Sequence, residues 1–327
     1  METQDRAELC LPQLSNTSCK KSAYSLPELL FFKITQSSIS VITVTLNLLV
    51  IISVSHYRQL HTPTNILILS LAVSDFLIGL LTMPGEIMRN TGCWFLGDLV
   101  CSLFNYASFI ISSSSIGVMV LISVDRYVAI CDPLHYQTRV TKSRVKVCVC
   151  LCWLCSVLYN ILLVKDDLSE PGRHNSCYRE CVLVDYITGT VDLIVSFISP
   201  VSIIVVLYLK VFVVAVSQAR AMRSHVTEIK LQLSVTQTKK SELKAARNLG
   251  VLIIVFLICF IPYYCVSLAK PDLLNSITTS LVYYLFYFNS TLNPVIYTLF
   301  YPWFRKAVKF IVTLQILQPG SCQAKIL

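Results

Sequence analysis

Charged residues are scarce in this chain. Of its 327 residues, 14% are Asp, Glu, Lys or Arg, whereas 55% are apolar and the mean hydropathy is +0.67. A soluble domain carries about 25% charged residues, so the composition argues against an ordinary soluble protein. The sequence also lacks low-complexity tracts and fixed-period repeats. No inverted repeat is visible, which leaves little support for an ion-coupled transporter.

Metal-ligand and targeting patterns are missing as well. The 5 histidines, at positions 56, 61, 135, 174 and 225, are expected in loops and show no metal-ligand spacing. This argues against a metal-dependent membrane hydrolase. Residues 1–33 are polar and lack an apolar segment followed by small residues, so no cleavable signal peptide is expected. The first apolar segment is then expected to direct the chain to the membrane.

The apolar residues come in seven blocks, each long enough to cross about 30 Å of hydrocarbon as a helix. The blocks are residues 32–55, 65–88, 101–122, 145–164, 187–214, 249–268 and 277–300. They are apolar nearly all round, which is typical of membrane spans. The predicted fold class is an all-α membrane protein with a seven-transmembrane helix bundle at 32–300. An extracellular N-terminal segment (1–31) precedes it, and a cytoplasmic helix and tail (301–327) follow.

Basic residues predict the orientation of the bundle. With the N-terminus outside, most of the 27 Lys and Arg residues fall in the inner segments, as the positive-inside rule requires. The net charge of +9 therefore reflects the basic inner segments of a protein whose partner is the lipid membrane. It is not evidence for a nucleic-acid partner. Asn16 begins an Asn-Thr-Ser glycosylation triplet, which faces the lumen in this orientation.

The 14 cysteines divide by compartment. Those at or near the predicted outer side, where disulfides persist, are Cys10, Cys19, Cys93, Cys101, Cys177 and Cys181. The cysteines at positions 148, 150, 152 and 155 lie in the fourth span without zinc-ligand spacing. They are interpreted as small apolar packing residues.

Each predicted span carries a distinctive residue or motif. In span order these are Asn47, Asp75, the triplet Asp125-Arg126-Tyr127, Trp153, Pro200, Pro262 and the stretch Asn293-Pro294-Val295-Ile296-Tyr297. Any one of them could arise by chance. Together they resemble the rhodopsin-like G protein-coupled receptors, and the resemblance covers residues 32–310.

An acid in the second span predicts a polar cluster. Asp75 is ionisable at mid-membrane depth, so it needs partners in the bundle interior. Ser115, Asn289, Ser290 and Asn293 can supply oxygen atoms around it. The resemblance implies that this pocket binds a sodium ion in the resting state; the alternative is a hydrated polar cluster without an ion. No other metal or cofactor is expected.

A charge pair at the inner face is the predicted activation switch. The resemblance implies that Arg126 pairs with Glu242 and ties the third and sixth spans together. Activation would free Arg126 to turn toward Tyr208 and Tyr297 and admit a G protein. Such a pair is a two-state element that a ligand can bias. The alternative is that Glu242 is a solvated charge among neighbouring lysines.

The resemblance also implies a packing relay below the ligand, formed by Pro200, Ile116 and Phe256. Phe260 departs from the family pattern, because that position usually holds Trp. A rotamer switch at Phe260 would therefore lack an indole N–H donor.

Both ends of the bundle show a narrower resemblance. The stretches "QLHTPTN" (59–65) and "NSTLNPVIYTLFYPWFRKA" (289–307) are similar to the trace amine-associated receptors, most of which are olfactory. The outer loop reads "CYREC". In that family the second cysteine of such a pair bonds to the third span and the first to the N-terminal segment. The resemblance therefore implies a Cys101–Cys181 bond, and a bond from Cys177 to either Cys10 or Cys19.

An aspartate in the fifth span is the expected ligand anchor. Biogenic-amine receptors hold the ammonium on an aspartate 18 residues before the arginine of the third span, but here that position is Ser108. No acid lies anywhere from 101 to 124. Some olfactory trace amine-associated receptors carry their carboxylate on the fifth span, where Asp192 lies. An intramembrane acid is a functional candidate; the alternative is that Ser or Thr neighbours satisfy Asp192.

Aromatic residues of the sixth and seventh spans are further ligand-binding candidates. Phe260, Tyr263, Tyr264, Tyr283 and Tyr287 could cage a cation through their ring faces, or could serve only in packing. An opsin would need a lysine at the Tyr287 position for its retinal Schiff base. No lysine occurs from 271 to 304, so an opsin is excluded.

Two more acids are expected near the mouth of the pocket. Asp185 lies seven residues before Asp192, and Glu86 lies at the outer end of the second span. Either could hold the second ammonium of a diamine. The alternative is that both are solvated charges that only raise the local cation concentration.

The stretch "PWFRKAVKFIV" after the seventh span predicts an amphipathic helix on the inner leaflet, and the later Cys322 could be palmitoylated. The function implied by the resemblance is a plasma-membrane receptor, expected in olfactory sensory neurons. It would bind an organic amine outside and activate a heterotrimeric G protein inside, usually a stimulatory one that raises cyclic AMP. The alternatives are a receptor for an uncharged small ligand and, with less support, a transporter.

Overall fold

The computed structural model describes residues 10–11, 18–19, 26–90, 93–165, 169–172, 175, 177, 181, 190–225, 250–266, 276–324 and 326. The helices are α1 (Leu26–His56), α2 (Pro63–Leu77), α3 (Met83–Asn90), α4 (Asp98–Cys131), α5 (Pro133–Arg139), α6 (Lys142–Leu163), α7 (Ser199–His225), α8 (Gly250–Val266), α9 (Ser276–Phe300) and α10 (Pro302–Val312). A π-helical segment, Ile78–Thr82, joins α2 to α3, and another, Leu193–Ile198, leads into α7.

Within the described residues, five helical segments are long and apolar enough to cross a membrane. They are Pro27–His56, Pro63–Arg89, Asp98–Cys131, Lys142–Leu163 and Thr190–Val214, which correspond to the first five predicted spans. The sixth span contains α8, which is shorter, and the seventh is α9, with 25 residues. The third span continues to Cys131, beyond the predicted end at 122, because its helix carries the Asp-Arg-Tyr triplet.

The distribution of polar side chains is the reverse of that in a soluble protein. Asn47 and Asp75 are completely buried, whereas Leu162 and Val213 are 75% and 66% exposed. Apolar side chains on the outside suit hydrocarbon, and polar ones inside can satisfy each other. The bundle therefore presents a lipid-compatible surface.

Local sequence explains where two spans begin. Thr62 caps α2, its side chain accepting from the N–H of Asn65, and Pro63 occupies the first helical position, where a missing N–H costs nothing. The Asn65 side chain in turn donates to the Leu60 carbonyl at 2.8 Å. Thr141 caps α6 in the same way through the N–H of Arg144.

A proline in the seventh span ties that span to the first. Pro294 has no N–H, so the carbonyl of Ser290, four residues earlier, loses its helical donor. The Asn47 side chain donates to that carbonyl at 3.0 Å. In the same interior, Trp153 of the fourth span donates to the Ser70 hydroxyl of the second at 3.1 Å. Asn47 thus replaces the backbone donor that Pro294 lacks, and Trp153 and Ser70 satisfy each other where hydrocarbon offers no partner.

Three disulfides gather at one end of the bundle, called the disulfide end below. They join Cys10 to Cys93, Cys19 to Cys177 and Cys101 to Cys181, with Cα separations of 5.6, 5.1 and 5.7 Å. Of the two partners left open for Cys177, the structure thus has Cys19. The Cys10–Cys93 bond had no counterpart in the sequence analysis. Together the bonds fasten the N-terminal segment and the loop before the fifth span beside the top of α4.

The opposite end, called the Arg126 end below, carries the amphipathic helix α10. Its residues Trp303, Phe304 and Ala307 are buried, whereas Lys306 is exposed. The Arg305 guanidinium donates to the carbonyls of residues 298 and 299 and so caps the last turn of α9. The helix therefore lies against the bundle on its apolar side, with its basic side chains pointing away.

The third and fourth spans approach closely at Gly117. A Cβ atom at this position would overlap Cys152 Sγ. Cys152 is thus the one member of the fourth-span cysteine group that packs inward. The interpretation of the group as packing residues was wrong for positions 148, 150 and 155, which are exposed because α6 lies at the edge of the bundle.

Replacing Gly117 by Ala is expected to lower the stability of the receptor. The added methyl overpacks the contact with Cys152, which costs about 1–3 kcal/mol. The measurement is the thermal unfolding midpoint of detergent-purified protein, followed by tryptophan fluorescence. Adding Cys152→Ala makes room for the methyl and should recover most of the loss, with Cys152→Ala alone as the matched control. A Gly117→Ala protein as stable as wild type would contradict the close approach.

Candidate functional site

A cavity lies between the helices next to the Cys101–Cys181 disulfide. Asn105 lines it and donates to Cys101 Sγ at 3.6 Å, so the disulfide lies about one helical turn away. The empty space within the cavity and at its mouth, which includes open solvent, amounts to about 590 Å³. Its walls come from the second, third, fifth, sixth and seventh spans. A ligand there contacts several helices at once.

Asp192 is the acid that the fifth span contributes to this cavity. Its Oδ1 accepts from the Ser196 hydroxyl at 2.6 Å and from the Tyr159 hydroxyl at 3.5 Å. Its Oδ2 accepts no hydrogen bond from any described residue. The alternative that neighbouring hydroxyls satisfy Asp192 therefore applies to one oxygen only. The second oxygen remains an acceptor for a donor inside the cavity.

The third span presents a polar but uncharged face to the cavity. Asn105, Ser108, Ser112 and Ile116 line it at helical spacing. Ser108 thus stands in the cavity wall without offering a carboxylate. This leaves Asp192 without a competing acid on the neighbouring third span.

Aromatic rings build the side of the cavity made by the sixth and seventh spans. Tyr263, Tyr264, Tyr283 and Tyr287 line it, and the Tyr264 ring stacks on Phe197 with centroids 3.9 Å apart. An aromatic wall of this kind suits an organic cation.

Phe260, expected among the ligand-binding residues, does not line the cavity. Its ring is buried and packs against Phe286 and Phe256, with centroids 4.4 and 4.3 Å apart. The reason is that Phe286, which the sequence analysis did not select, stands between Phe260 and the cavity. Ile116 lines the cavity and Phe256 lies beyond Phe260, so a column of side chains runs from the cavity into the core.

The second span brings an acid and a base to the cavity wall. Glu86 and Arg89 both line it, and Arg89 Nη2 donates to Glu86 Oε2 at 2.6 Å. Glu86 is therefore not the solvated charge considered in the sequence analysis, because only 2% of it is exposed. Asp185, the other acid expected near the mouth, lies outside the described residues.

Asp75 lies in the interior below the cavity. Its Oδ2 accepts from Asn293 Nδ2 at 2.7 Å, whereas Oδ1 is buried and has no hydrogen-bond partner among the described residues. The Oδ1 atoms of Asn289 and Asn293 are buried and unpartnered as well. Ser115 and Ser290 are buried too. Buried oxygens without donors fit a small hard cation or water, so these residues could hold the sodium ion implied by the sequence.

Arg126 is held by its own span at the Arg126 end. Its Nη2 donates to Asp125 Oδ2 and to the Thr64 hydroxyl, both at 2.6 Å, and it is 7% exposed. The Tyr136 hydroxyl of α5 donates to Asp125 Oδ1 at 2.8 Å. Burial raises the pKa of Tyr136 to about 12, and nearby Asp125 adds to the rise, so the hydroxyl keeps its proton at neutral pH. Glu242, the expected partner of Arg126, lies outside the described residues, as does Asn16.

The other switch candidates lie near this network. Within the described ranges, the hydroxyl groups of Tyr208 and Tyr297 are buried without hydrogen-bond partners. Lys210 Nζ lies 5.9 Å from the ring centroid of Tyr127. Tyr208 lies close enough to Arg126 and Asp125 to interact with them electrostatically, so a rearrangement of Arg126 could provide its hydroxyl with a partner.

The sequence analysis did not select several residues that line the cavity, although their helical spacing from selected residues could have identified them. Ser196 follows Asp192 by four residues and Arg89 follows Glu86 by three, so both share a helical face with a selected acid. Asn105 and Ser112 stand one turn either side of Ser108. Extending each selected residue by one turn would have found all of them.

Comparison with known proteins gives a consistent result. The family model described as "7 transmembrane receptor (rhodopsin family)" matches residues 46–297. The chain is 35% identical to trace amine-associated receptor 13c of Danio rerio, over 97% of this chain and 95% of the relative. It is 38% identical to trace amine-associated receptor 7e of Mus musculus, over 96% of this chain and 91% of the relative. It is 35% identical to trace amine-associated receptor 1 of Mus musculus, over 86% of this chain and 88% of the relative.

Proposed function

Because the chain belongs to the trace amine-associated receptors of the rhodopsin-like seven-transmembrane family, we propose that it detects an organic amine in the cavity lined by Asp192. Members of this family are membrane receptors and not enzymes. The chain is accordingly a class A G protein-coupled receptor and a multi-pass plasma-membrane protein.

The observation that carries the proposal is that Asp192 Oδ2 accepts no hydrogen bond from the part of the chain that the structure describes. A carboxylate in a membrane bundle is unfavourable unless it is paired, and the described residues satisfy only one of its oxygens. An ammonium group supplies both the missing donor and the missing positive charge. Charge-assisted hydrogen bonds of this kind contribute about 1.5–3 kcal/mol each.

The remainder of the cavity suits the carbon skeleton of such a ligand. Tyr263, Tyr264 and Tyr287 offer ring faces to the cation and to its apolar body, and Ser108 leaves the third-span wall neutral. An uncharged ligand would leave the negative charge of the Asp192 carboxylate uncompensated in the cavity. That alternative is therefore the weaker one.

The signalling step follows from the placement of the cavity above the core. A ligand that contacts Ile116 and Phe286 changes the packing of Phe260 and Phe256 behind them; Pro200 of the fifth span is proposed to take part in the same relay. A shift there biases the polar cluster at Asp75 and the held Arg126, which releases the inner end of the bundle. The residues around Asp75 would hold a sodium ion in the resting state, and loss of that ion would favour the active one.

The orientation and partner complete the proposal. The disulfides suit the oxidising side of the membrane, which supports an orientation with the N-terminus and Asn16 outside and the Arg126 end in the cytoplasm. There the receptor activates a heterotrimeric G protein, for which the stimulatory type that raises cyclic AMP is the first candidate. Olfactory sensory neurons are the proposed cells.

Replacing Asp192 by Asn keeps the shape of the side chain and removes its charge. Agonist potency is expected to fall at least about tenfold, because the ammonium loses its counter-charge; this equals about 1.4 kcal/mol. The measurement is a concentration–response curve of G protein activation for a panel of amines. Surface density is matched by labelling an epitope tag on the receptor.

The matched control for this experiment is Asp98→Asn. Asp98 lies at the disulfide end but accepts from Asn175 and does not line the cavity. Its loss should leave the potency of amines nearly unchanged. Equal potency in Asp192→Asn and wild type would reject the anchor.

Removing the charge that holds Arg126 should raise signalling without ligand. In Asp125→Asn, Arg126 loses its ion pair and can turn toward Tyr208, so basal G protein activation is expected to increase at equal surface density. Tyr136→Phe removes one hydrogen bond and no charge, and should have a smaller effect. Glu242→Ala tests the further partner on the sixth span. If basal signalling in Asp125→Asn and Glu242→Ala equals that of wild type, the held arginine does not restrain activation.

A further inference from the structure

We infer that Glu86 and Arg89 form a second ligand subsite that selects amines with one positive charge and an uncharged hydrogen-bond acceptor at the far end. Ethers, carbonyls and hydroxyls are acceptors of this kind. The inference rests on the proposed function, in which Asp192 holds the ammonium group.

The two residues form a buried pair in the wall of the cavity. Glu86 is 2% exposed and pairs with Arg89 at 2.6 Å. The guanidinium carbon of Arg89 lies 6.0 Å from the ring centroid of Tyr283, another wall residue. An ion pair on one side and an aromatic ring on the other fix the guanidinium in place.

Arg89 retains donors that no described residue uses. A guanidinium has five N–H donors. Within the described residues, the only hydrogen bond from Arg89 runs from Nη2 to Glu86. Because Arg89 lines the cavity, its remaining N–H groups are available to an acceptor on the ligand.

The charges of the cavity decide which ligand end fits this subsite. Among the described lining residues the charged ones are Asp192, Glu86 and Arg89, so the wall carries a net charge of −1. An amine with one ammonium brings the site to neutrality. A diamine would leave an excess positive charge beside Arg89, and an amino acid would leave an excess negative charge beside Glu86. In a largely desolvated cavity either excess is unfavourable.

Glu86 is therefore a poor second anchor for a diamine. Its charge is already matched by Arg89, and an ammonium that approached it would meet the guanidinium as well. Neutralising one partner of a buried ion pair leaves the charge of the other partner uncompensated. Variants that neutralise Glu86 or Arg89 therefore have opposite expected effects on ligand preference.

The experiment uses the full-length receptor and four unbranched primary amines of equal chain length. The far end carries a methyl group, a methyl ether, a second ammonium or a carboxylate, and several chain lengths are compared. In wild type the methyl ether should be the most potent at its best length, exceeding the diamine and the amino acid by about tenfold or more. A diamine or amino acid that equals or exceeds the ether in wild type overturns the inference.

Variants should then change the ranking according to charge. Arg89→Gln frees the Glu86 charge, so the diamine should gain at least about tenfold relative to the ether. Glu86→Gln frees the Arg89 charge, so the amino acid should gain instead. The double variant restores the net charge of −1 and should return the preference to singly charged amines while losing the advantage of the ether over the methyl compound. A ranking that is the same in all variants means that the pair only braces the helix, and overturns the inference.

The failure of this inference is separable from that of the proposed function. If no amine activates the receptor, or if Asp192→Asn responds like wild type, the proposed function fails. If amines act through Asp192 but the ranking does not follow the charges of Glu86 and Arg89, only the second subsite fails. Should a variant not reach the surface, the wild-type ranking of the four amines decides alone.

Discussion

Hydrocarbon supplies no hydrogen bonds, and the whole interior of this bundle depends on that constraint. Each buried polar group must find its partner within the protein. The Ser290 carbonyl released by Pro294 is taken by Asn47, and Asp125 holds Arg126. Where one oxygen of an acid remains without a protein donor, a ligand or ion has a place to bind. Asp192 in the cavity and Asp75 in the closed interior are two such acids.

These two acids are connected through apolar packing and not through a chain of charges. The cavity ends on Ile116 and Phe286, and the rings of Phe260 and Phe256 continue from there into the core. Packed rings of this density move together, because the interior has no room for independent rearrangement. A small ligand can therefore alter the position of several helices although its polar contacts are few. The conformational change still requires that the ligand bind the two states with different free energies.

Much of the architecture could be predicted from the sequence, because apolar length and single marker residues report directly on the spans. The all-α membrane class, the amphipathic α10 and the family were predicted correctly. The π-helical segments could not be predicted, since no residue pattern marks them. Such a segment adds a residue to a turn and rotates the helix beyond it. Ile78–Thr82 lies between Asp75 and Glu86, and Leu193–Ile198 follows Asp192, so both affect which side chains face the cavity.

Contacts between side chains of different helices were the other feature that the sequence could not predict. The spacing of Glu86 and Arg89 was visible in the sequence, but their burial together in the cavity wall depends on the packing of α3 against its neighbours. The exclusion of Phe260 by Phe286 likewise depends on how two helices face each other. A partner for Cys177 could be narrowed to two residues by family resemblance, and only the three-dimensional arrangement selects Cys19.

The most direct test of the amine site is a cryo-electron microscopy structure of the receptor with an activating amine and its G protein. The ammonium nitrogen is expected within about 3 Å of Asp192 Oδ2, with the carbon chain against the rings of Tyr263 and Tyr264. An ammonium group bound to Glu86, or a ligand that leaves Asp192 without a new donor, would contradict the assignment of Asp192 as the anchor.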